Sequence, residues 1–215
     1  MDIVERTGLC VMESNGLELS NGLKLSAKSS VSGSQRNARE ALEWFAMSAT
    51  FGRALKAKET IESHSIRCFV PMKYAIVSDH RQGKVRRLVP AISNLIFVYT
   101  TKTIIQNLKS SIPWLQYLTR HDDGRNVPII VPEYQMQQFM AVCETHDEHL
   151  VYLAPEEVNL EAGTPVRIVG TPFDGVEGTF VKVEKSHRKR VVVLVQGVAA
   201  VMITELTDGY LQVLD

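Results

Sequence analysis

The sequence contains few cysteines and no long apolar run, and both absences narrow the class of protein. Its 215 residues include three cysteines, Cys10, Cys68 and Cys143, which lie far apart. An odd number of widely spaced cysteines favours free thiols in a reducing compartment over a disulfide framework. No apolar run approaches the ~20 residues that a membrane-spanning helix needs. Residues 1–6 also lack the basic start and apolar core of a secretory signal, so we expect a cytoplasmic protein without a membrane segment.

The chain has no net charge, which argues against a protein that coats nucleic acid over its whole surface. Its 24 Lys and Arg residues balance its 24 Asp and Glu residues. The charges are unevenly distributed: residues 41–150 carry 13 basic against 10 acidic side chains, whereas residues 151–215 carry 6 against 9. Contact with nucleic acid is therefore expected to be local and to lie in the middle of the chain.

Residues 1–42 have the composition of a disordered arm. They are rich in Ser, Asn and Gly, and they contain a tandem hexamer at 15–20 and 21–26. Asn21-Gly22 between short alternating runs is typical of a hairpin turn, but an isolated two-stranded hairpin is only marginally stable in water. The sequence therefore predicts a mostly disordered arm, with a hairpin as the lesser alternative.

Residues 43–145 show the mixture of strand and helix patterns expected of an α+β domain. A buried strand is predicted at 44–47, and a helix at 53–63 whose apolar stripe is Ala54, Ala57 and Ile61. Further strands are predicted at 67–70, 74–77, 85–89, 95–99 and 114–118, with helices at 103–110 and 132–145. Residues 146–161 are acidic and contain Pro155, which favours a linker. Residues 162–215 are predicted to be all β.

The most informative motif lies in the segment Gly163 to Val181. Two β-patterned runs flank a turn rich in Gly and Pro, with Phe173 at its tip. This segment resembles a KOW module, a small SH3-like barrel, through Val166-Arg167-Ile168, Pro172-Phe173 and Gly178. A KOW module is a docking surface and contains no catalytic machinery.

Together, the two parts of the chain resemble the NusG family of transcription elongation factors over about residues 43–215. Trp44-Phe45, Gly52 and the basic helix are similar to the family's opening strand and first helix, and Cys68–Met72 and Val127–Pro132 are similar to later segments. The segment Pro90–Val98 aligns with the family's aromatic strand, but Ile92, Ser93 and Leu95 replace the usual aromatic, Pro and Tyr. The extra arm and the middle region resemble a specialised paralogue, similar to RfaH and to the UpxY regulators of polysaccharide operons.

The resemblance implies a non-enzymatic transcription elongation or antitermination factor. Such a protein binds the clamp region of RNA polymerase through an apolar face and suppresses pausing or termination, here at a specific operon such as a polysaccharide locus. The matched positions imply polymerase contacts by Ile92, Leu95, Phe97 and Tyr117, although apolar strand residues are commonly core residues. No cofactor is implied, and a monomer is expected.

Two basic groups are candidate contacts with nucleic acid, either non-template DNA or nascent RNA. Arg53 and Lys56 match positions at which RfaH-like proteins meet exposed DNA, and Lys84, Arg86 and Arg87 lie in a predicted turn and strand. A solvated basic face is the alternative for both groups.

The predicted tip of the KOW module is a third candidate surface. Pro172, Phe173 and Gly175 are expected to bind a partner, which the resemblance implies is a small-subunit ribosomal protein or Rho. The alternative is that Phe173 fills its own barrel or packs on the first domain. The β-branched run 191–195 favours strands, so no helical form of this module is expected.

Two rival interpretations come from other classes. Cys143, His146 and His149 have a spacing that permits a zinc site, but no fourth ligand lies nearby and we expect no metal. A ribosome-associated RNA-binding KOW protein could use the basic turn 186–190, yet the second part of the chain is net acidic. An inhibitor that competes for the same polymerase surface is a further alternative.

Overall fold

The computed structural model describes most of the chain after the arm. The described residues are 40–79, 83–153, 163–181, 190–204, 206 and 210–214. The predicted arm at 1–42, with its hairpin, lies almost wholly outside them, as do residues 186–189 of the basic turn.

The described residues form three helices and fifteen strands. The helices are α1 (Ala54–Ser63), α2 (Lys102–Ser111) and α3 (Glu133–Cys143). The strands of the first half are β1 (Glu43–Ala49), β2 (Arg67–Phe69), β3 (Met72–Asp79), β4 (Gly83–Pro90), β5 (Leu95–Thr100), β6 (Leu115–Tyr117), β7 (Thr119–Asp122), β8 (Arg125–Pro128) and β9 (Ile130–Val131). The remaining strands are β10 (Leu150–Leu153), β11 (Thr164–Val169), β12 (Glu177–Val181), β13 (Arg190–Val195), β14 (Ala199–Ile203) and β15 (Tyr210–Val213).

A five-stranded antiparallel sheet, here called the N-terminal sheet, organises the first half of the chain. Its strand order is β2-β5-β1-β6, and β9 also pairs with β1. The central strands β1 and β5 are buried along most of their length because both faces of the sheet are covered. This explains their continuous apolar character, since a half-exposed strand would alternate with polar residues.

The helices α1 and α2 cover one face of this sheet. The predicted stripe of α1, Ala54, Ala57 and Ile61, is buried against Phe45 and Ile96 and their neighbours. In α2, Ile105 and Leu108 are buried in the same cluster, and the Thr101 hydroxyl caps the helix by accepting a hydrogen bond from the Ile104 N–H. Both helices therefore form close to where the sequence predicts them, at 53–63 and 103–110.

Helix α3 lies on the opposite face of the sheet. Its start is fixed by the Trp44 indole N–H, which donates a hydrogen bond of 2.8 Å to the Glu133 carboxylate. Pro132 is the residue before the first turn and not, as the sequence predicts, the first helical residue. Five of its residues are buried: Met136, Phe139, Met140, Val142 and Cys143.

Two hairpins stand apart from the N-terminal sheet. Strands β3 and β4 pair over their full length, as the sequence predicts. Strands β7 and β8 form a second hairpin, which the sequence does not predict because the side chains of β7 are polar and exposed and those of β8 do not alternate. Its turn is Asp123-Gly124, and both residues have positive φ (45° and 74°), the backbone of a two-residue hairpin turn.

The second part of the chain is a six-stranded antiparallel sheet, here called the C-terminal sheet. Its order is β10-β14-β13-β12-β11-β15. Gly178 on β12 permits the close approach of β13, since a Cβ there would lie 2.7 Å from the Val192 carbonyl oxygen. The fold class is therefore the expected one, with an α+β first part and a β-rich second part.

The expected linker at 146–161 needs correction. Within it, β10 pairs with β14, so that Leu150–Leu153 is an integral strand of the C-terminal sheet. Its apolar residues, Leu150 and Val151 among them, favour a strand despite the acidic residues on either side. Residues 154–161 lie outside the described part of the chain.

A single apolar cluster joins the two parts of the chain. It contains Trp44, Leu95 and Phe97 of the N-terminal sheet, the buried residues of α3, and Val166, Phe173, Val193 and Ile203 of the C-terminal sheet. In this conformation the C-terminal sheet packs on the first part of the chain through apolar side chains. Among the described residues, no helix is long and apolar enough to cross a membrane.

Candidate functional site

The strand β5 presents two different apolar faces because its side chains alternate. Ile96 and Val98 belong to the cluster beneath α1 and α2. Leu95 and Phe97 point to the opposite side, where the Phe97 ring lies 5.8 Å from the Phe139 ring of α3. The second face, formed around Ile92, Leu95 and Phe97, is here called the β5 face.

The C-terminal sheet covers the β5 face through the turn between β13 and β14. Val198 of this turn lines a cavity of about 180 Å³ together with Ile92 and Leu95. A Cβ on Gly197 would lie 3.9 Å from Ile129 Cδ1. Leu95 is 3% exposed and Phe97 0% exposed as a result of this packing and of α3.

Two glutamine side chains of α3 form hydrogen bonds with the backbone of the C-terminal sheet. The Gln138 side-chain oxygen accepts a hydrogen bond of 2.9 Å from the Glu177 backbone N–H. The Gln135 side-chain oxygen accepts one of 3.1 Å from the Gln196 backbone N–H. These bonds join backbone groups at the end of β13 and the start of β12 to the helix that flanks the β5 face.

The structure brings together three of the four residues predicted to bind polymerase. Ile92 is half-buried and packs against the same cluster as Leu95 and Phe97. Tyr117 lies on the opposite face, because it pairs with Met47 and packs on Phe45 with ring centroids 6.0 Å apart. Tyr117 therefore does not share one surface with the other three.

Sequence reasoning missed the residues of α3 that border the β5 face. Phe139 contacts both Phe97 and Phe69, with ring centroids 5.8 and 6.4 Å apart. The sequence of α3 nevertheless carried a signal for this position. Its apolar residues at 136, 139, 140, 142 and 143 cover more than one side of the helix, which indicates a helix buried on two sides.

The predicted partner-binding turn of the second part is only partly exposed. Pro172 and Gly175 are exposed, but Phe173 is 4% exposed and belongs to the shared cluster. The turn is held by Asp174, whose carboxylate accepts a hydrogen bond of 2.8 Å from the Gly170 N–H. The expectation of an exposed Phe173 is wrong for this conformation, and the alternative, in which its ring packs inward, is observed.

Arg53 and Lys56 are both exposed at the start of α1. The Arg53 guanidinium carbon lies 5.4 Å from the centroid of the Phe51 ring and 5.6 Å from that of the Trp114 ring. Both distances are within the range of cation–π attraction. The side chain of Arg53 is thus oriented by two aromatic rings.

The second basic group is divided between the two faces of the β3–β4 hairpin. Directly opposite residues share a face, and Arg86 pairs with Ile76 whereas Arg87 pairs with Ala75. Lys84 lies on the same face as Arg86. Arg86 also forms an ion pair with Glu148 and lies 4.0 Å from the centroid of the Tyr74 ring, so its charge is partly compensated.

The side chains of Cys143, His146 and His149, whose spacing in the sequence permits a zinc site, do not meet at one point. Burial raises the pKa of the Cys143 thiol to about 12, and a hydrogen bond with Tyr152 acts in the opposite direction. The His146 ring faces Tyr74 edge-on, and His149 contacts the Asp147 carboxylate at 3.0 Å. Within the described ranges, no group of three or more His, Cys, Asp or Glu is arranged to hold a metal.

Comparison with known families finds a similarity in the first part of the chain. The model described as "Transcription termination factor nusG" matches residues 42–140. The matched residues make up less than half of the chain. They include the β5 face, α1 and most of α3.

A solved structure titled "Domain interaction in Thermotoga maritima NusG" is also similar to this chain. It has a TM-score of 0.41 and 17% identity, and the match covers 79% of this chain and 96% of that one. A similarity at this level supports no conclusion about function. No curated protein matches the chain.

Proposed function

We propose that this protein is a non-enzymatic transcription elongation factor that binds RNA polymerase through the β5 face. The supporting observation is the match of a NusG-family domain to residues 42–140, which contain this face. Ile92, Leu95 and Phe97 give the face the apolar character expected of a protein-binding surface. The polymerase clamp is the proposed partner.

Binding through the β5 face requires movement of the C-terminal sheet. The turn at Gly197-Val198 lies over Ile92 and Leu95 in the present structure. The protein therefore has a covered state, which is described here, and a proposed open state in which polymerase has access. If only a fraction of the molecules is open, the apparent affinity is reduced by that fraction.

The proposed mechanism needs no covalent chemistry. A factor that binds the closed clamp better than the open clamp shifts polymerase toward the state that continues elongation. A coupling free energy of about 1–3 kcal/mol corresponds to a shift of about 5–150-fold. This is sufficient to suppress pausing or termination at successive sites.

We assign the protein to a specialised paralogue that acts in the cytoplasm on a particular operon, such as a polysaccharide locus. The basis is the sequence of residues 1–42, an extra arm, together with the resemblance of the middle region to RfaH-like proteins. A ribosomal protein or Rho is the proposed partner of the C-terminal sheet. It would meet Pro172 and Gly175 in the covered state, and Phe173 only after opening.

The test compares polymerase binding by two isoleucine variants of the full chain. Ile92→Asp places a charge on the β5 face, whereas Ile130→Asp places one on an exposed isoleucine that pairs with Phe45 and faces the other side of the sheet. Binding to purified core polymerase should weaken at least about tenfold for Ile92→Asp, because a charge in an apolar contact is unfavourable. The Ile130→Asp control should bind like wild type.

A transcription assay with one pause site and one terminator provides the functional readout. The wild-type protein should increase readthrough, and Ile92→Asp should lose this effect. Absence of polymerase binding by the wild-type protein would overturn the proposal, and it would favour the ribosome-associated RNA-binding alternative.

A further inference from the structure

The β3–β4 hairpin is a sheet of only two strands in the described part of the chain, so each strand pairs on one side only. Strand β3 is eight residues long, from Met72 to Asp79. An open strand edge presents a row of backbone N–H and C=O groups with which another extended segment can pair. Natural proteins usually shorten, cover or block such an edge, so an open edge of this length calls for an explanation.

Two hydrogen bonds show which backbone groups of β3 face away from β4. Ala91, which follows β4, donates its N–H to the Pro71 carbonyl oxygen at 2.8 Å, so this carbonyl points toward β4. From outside the hairpin, the Tyr152 hydroxyl donates to the next carbonyl oxygen, that of Met72, at 3.3 Å. Because successive residues of a strand direct their backbone groups to opposite edges, the even-numbered residues of β3 face outward.

The outward backbone groups of Tyr74, Ile76 and Ser78 are here called the β3 edge. No other described residue forms a hydrogen bond with these groups. The outer edge of β4 differs, because it contains Pro90, which has no N–H to donate. The hairpin therefore has one edge that proline interrupts and one edge that can accept a further strand.

A cavity of about 330 Å³ lies beside the β3 edge. Four consecutive residues of β3, 73–76, line one side of it, and Asp147, Glu148 and Leu150 line another. Because consecutive side chains alternate between the two faces of a strand, a cavity that touches all four lies at the edge of the strand. An extended segment placed there would be within the usual pairing distance of about 4.8 Å from β3.

One face of the hairpin offers an added strand apolar side chains. Tyr74 and Ile76 are 44% and 74% exposed on this face, and Leu88 lies opposite Tyr74. The Arg86 guanidinium carbon lies 4.0 Å from the centroid of the Tyr74 ring and orients this ring, and the Arg86 charge is partly compensated by Glu148. This face therefore matches apolar side chains of a ligand.

The other face of the hairpin is basic. Lys73 and Ala75 lie on it, and Arg87 is directly opposite Ala75. Asp79, the acidic residue of the described hairpin, lies at its far end and pairs with Gly83. A strand added to β3 would direct every second side chain to this face, beside Lys73, where a carboxylate is favoured.

We propose that the β3 edge binds an extended peptide segment of a partner protein, in which apolar and acidic residues alternate. The segment pairs its backbone with Tyr74, Ile76 and Ser78 and becomes a third strand of the hairpin. Its apolar side chains pack on Tyr74 and Ile76, and its carboxylates lie beside Lys73. The backbone pairing supplies affinity, and the alternation of side chains supplies specificity. The site does not depend on polymerase binding through the β5 face.

The test measures binding of labelled peptides to the full-length protein by fluorescence anisotropy. The peptides have about seven residues, a usual length for a strand, and the first of them alternates Val and Glu. One control has the same composition with Val and Glu in separate blocks, a second alternates Val and Lys, and a third is the Val–Glu peptide with every backbone nitrogen methylated. The unmethylated alternating Val–Glu peptide should bind at least about tenfold more tightly than each control.

A proline substitution tests the backbone pairing from the side of the protein. Ile76→Pro removes one outward N–H and breaks no bond to β4, so the hairpin should persist while Val–Glu peptide binding weakens at least about tenfold. Ile76→Val keeps this N–H and should retain the affinity. Leu88→Pro is the matched control on the outer edge of β4, and it should retain the affinity within about threefold. If Ile76→Pro does not fold, the methylated peptide removes the same hydrogen bonds from the other side.

Two further readouts test the side-chain and backbone contacts separately. Lys73→Gln should weaken binding of the Val–Glu peptide and should not change the affinity for an alternating Val–Gln peptide, because only Glu interacts with the lysine charge. In amide exchange followed by NMR, the Val–Glu peptide should slow exchange at Tyr74 and Ile76. Lys73 and Ala75, whose N–H groups point toward β4, should change less.

Equal affinities for the alternating and block peptides, or for the methylated peptide, would overturn the proposal, and so would wild-type affinity in Ile76→Pro. Absence of Val–Glu peptide binding up to about 1 mM would also overturn it. A protein dimer that forms without peptide and that Ile76→Pro dissociates would assign the β3 edge to a second copy of this chain, and it too would overturn the proposal. Because the assay contains no polymerase, its outcome is independent of whether polymerase binds the β5 face.

Discussion

The two faces of the N-terminal sheet are both buried, but they are covered in different ways. On one face, α1 and α2 follow directly after β1 and β5 and pack Ile61 and Ile105 against the sheet. On the other face, the cover is α3 together with a second sheet whose strands begin at Leu150. The first cover is local in sequence, whereas the second comes from a separate part of the chain.

This difference indicates which face can open. Helix α1 connects β1 with β2, and α2 connects β5 with β6, so each helix is the link between two strands of the N-terminal sheet and cannot leave without breaking that sheet. The C-terminal sheet has its own strand pairing and is fastened to α3 by the Gln135 and Gln138 hydrogen bonds as well as by apolar contacts. A cover with its own backbone ladder can separate without losing its fold, which is why we assign partner binding to the β5 face.

The largest expected effect comes from two neighbouring residues that face opposite sides of β5. Phe97→Ala should lower the free energy of unfolding by about 3–5 kcal/mol and Ile96→Ala by about 2–5 kcal/mol, because both side chains are fully buried. Chemical denaturation measures these losses. Hydrogen exchange should separate them: Phe97→Ala should also increase exchange at the β13–β14 turn, and Ile96→Ala should not.

An identical exchange pattern for both variants would contradict the distinction between the two faces. The two substitutions are a matched pair, since the residues are adjacent on one strand and are equally buried.

Cys68 and Cys143, the two cysteines within the described residues, lie on opposite faces of the N-terminal sheet, and the pKa of each thiol is raised. Burial raises the pKa of Cys143, beside the C-terminal sheet, to about 12, and that of Cys68, beside α1, to about 11. In the unfolded chain a thiol has a pKa of about 8.5, so above this pH the unfolded state loses protons that the folded state retains. The free energy of unfolding should therefore be highest below pH 8.5 and should fall as the pH rises toward these folded-state values.

Denaturation of wild type, Cys68→Ala and Cys143→Ala at several pH values between 7 and 9.5 checks this expectation. Each substitution should reduce the decline with pH, because one titrating thiol is removed. If the free energy of unfolding of both variants still falls with pH as steeply as that of the wild type, the two thiols are not the cause of the fall.

A smaller effect is expected from the two glutamines of α3. Gln135→Ala and Gln138→Ala each remove one side-chain acceptor and should each weaken attachment of the C-terminal sheet by about 0.5–1.5 kcal/mol. Alkylation followed by peptide mass spectrometry provides the readout. Cys143 should react faster in these variants, whereas Cys68, on the other face, should react at the wild-type rate.

Gln137→Ala is the control for this prediction. Gln137 lies on the same helix, but its side chain bonds to Glu133 and not to the C-terminal sheet. Faster alkylation of Cys143 in this variant, or of Cys68 in any of the three, would show a general loss of stability and not a separation of the sheets.

The local sequence pattern was sufficient to predict the elements on the side of the N-terminal sheet that α1 and α2 cover. The stripe of α1 and the strands β1 and β5 follow from apolar periods of 3.6 and from continuous apolar runs, which depend on nearby residues alone. The β7–β8 hairpin was missed because its exposed strands carry no apolar alternation. Strand β10 was missed because acidic neighbours and Pro155 dominate the composition of its segment.

The cover of the second face could not be predicted from the sequence. The burial of Phe173 depends on contacts between residues far apart in the chain, and no local period encodes such contacts. The position of Tyr117 on the opposite face depends on its register with Met47, which becomes known only once the strands are paired.

The most direct test of the account measures the affinity of full-length protein for core RNA polymerase in wild type, Gln137→Ala and the double variant Gln135→Ala/Gln138→Ala. The account predicts tighter binding by the double variant, by up to about 150-fold, because a weaker attachment of about 1–3 kcal/mol raises the fraction of open molecules. Gln137→Ala should bind like wild type. Equal affinities, in a double variant whose Cys143 is demonstrably exposed, would contradict the claim that the C-terminal sheet controls access to the β5 face.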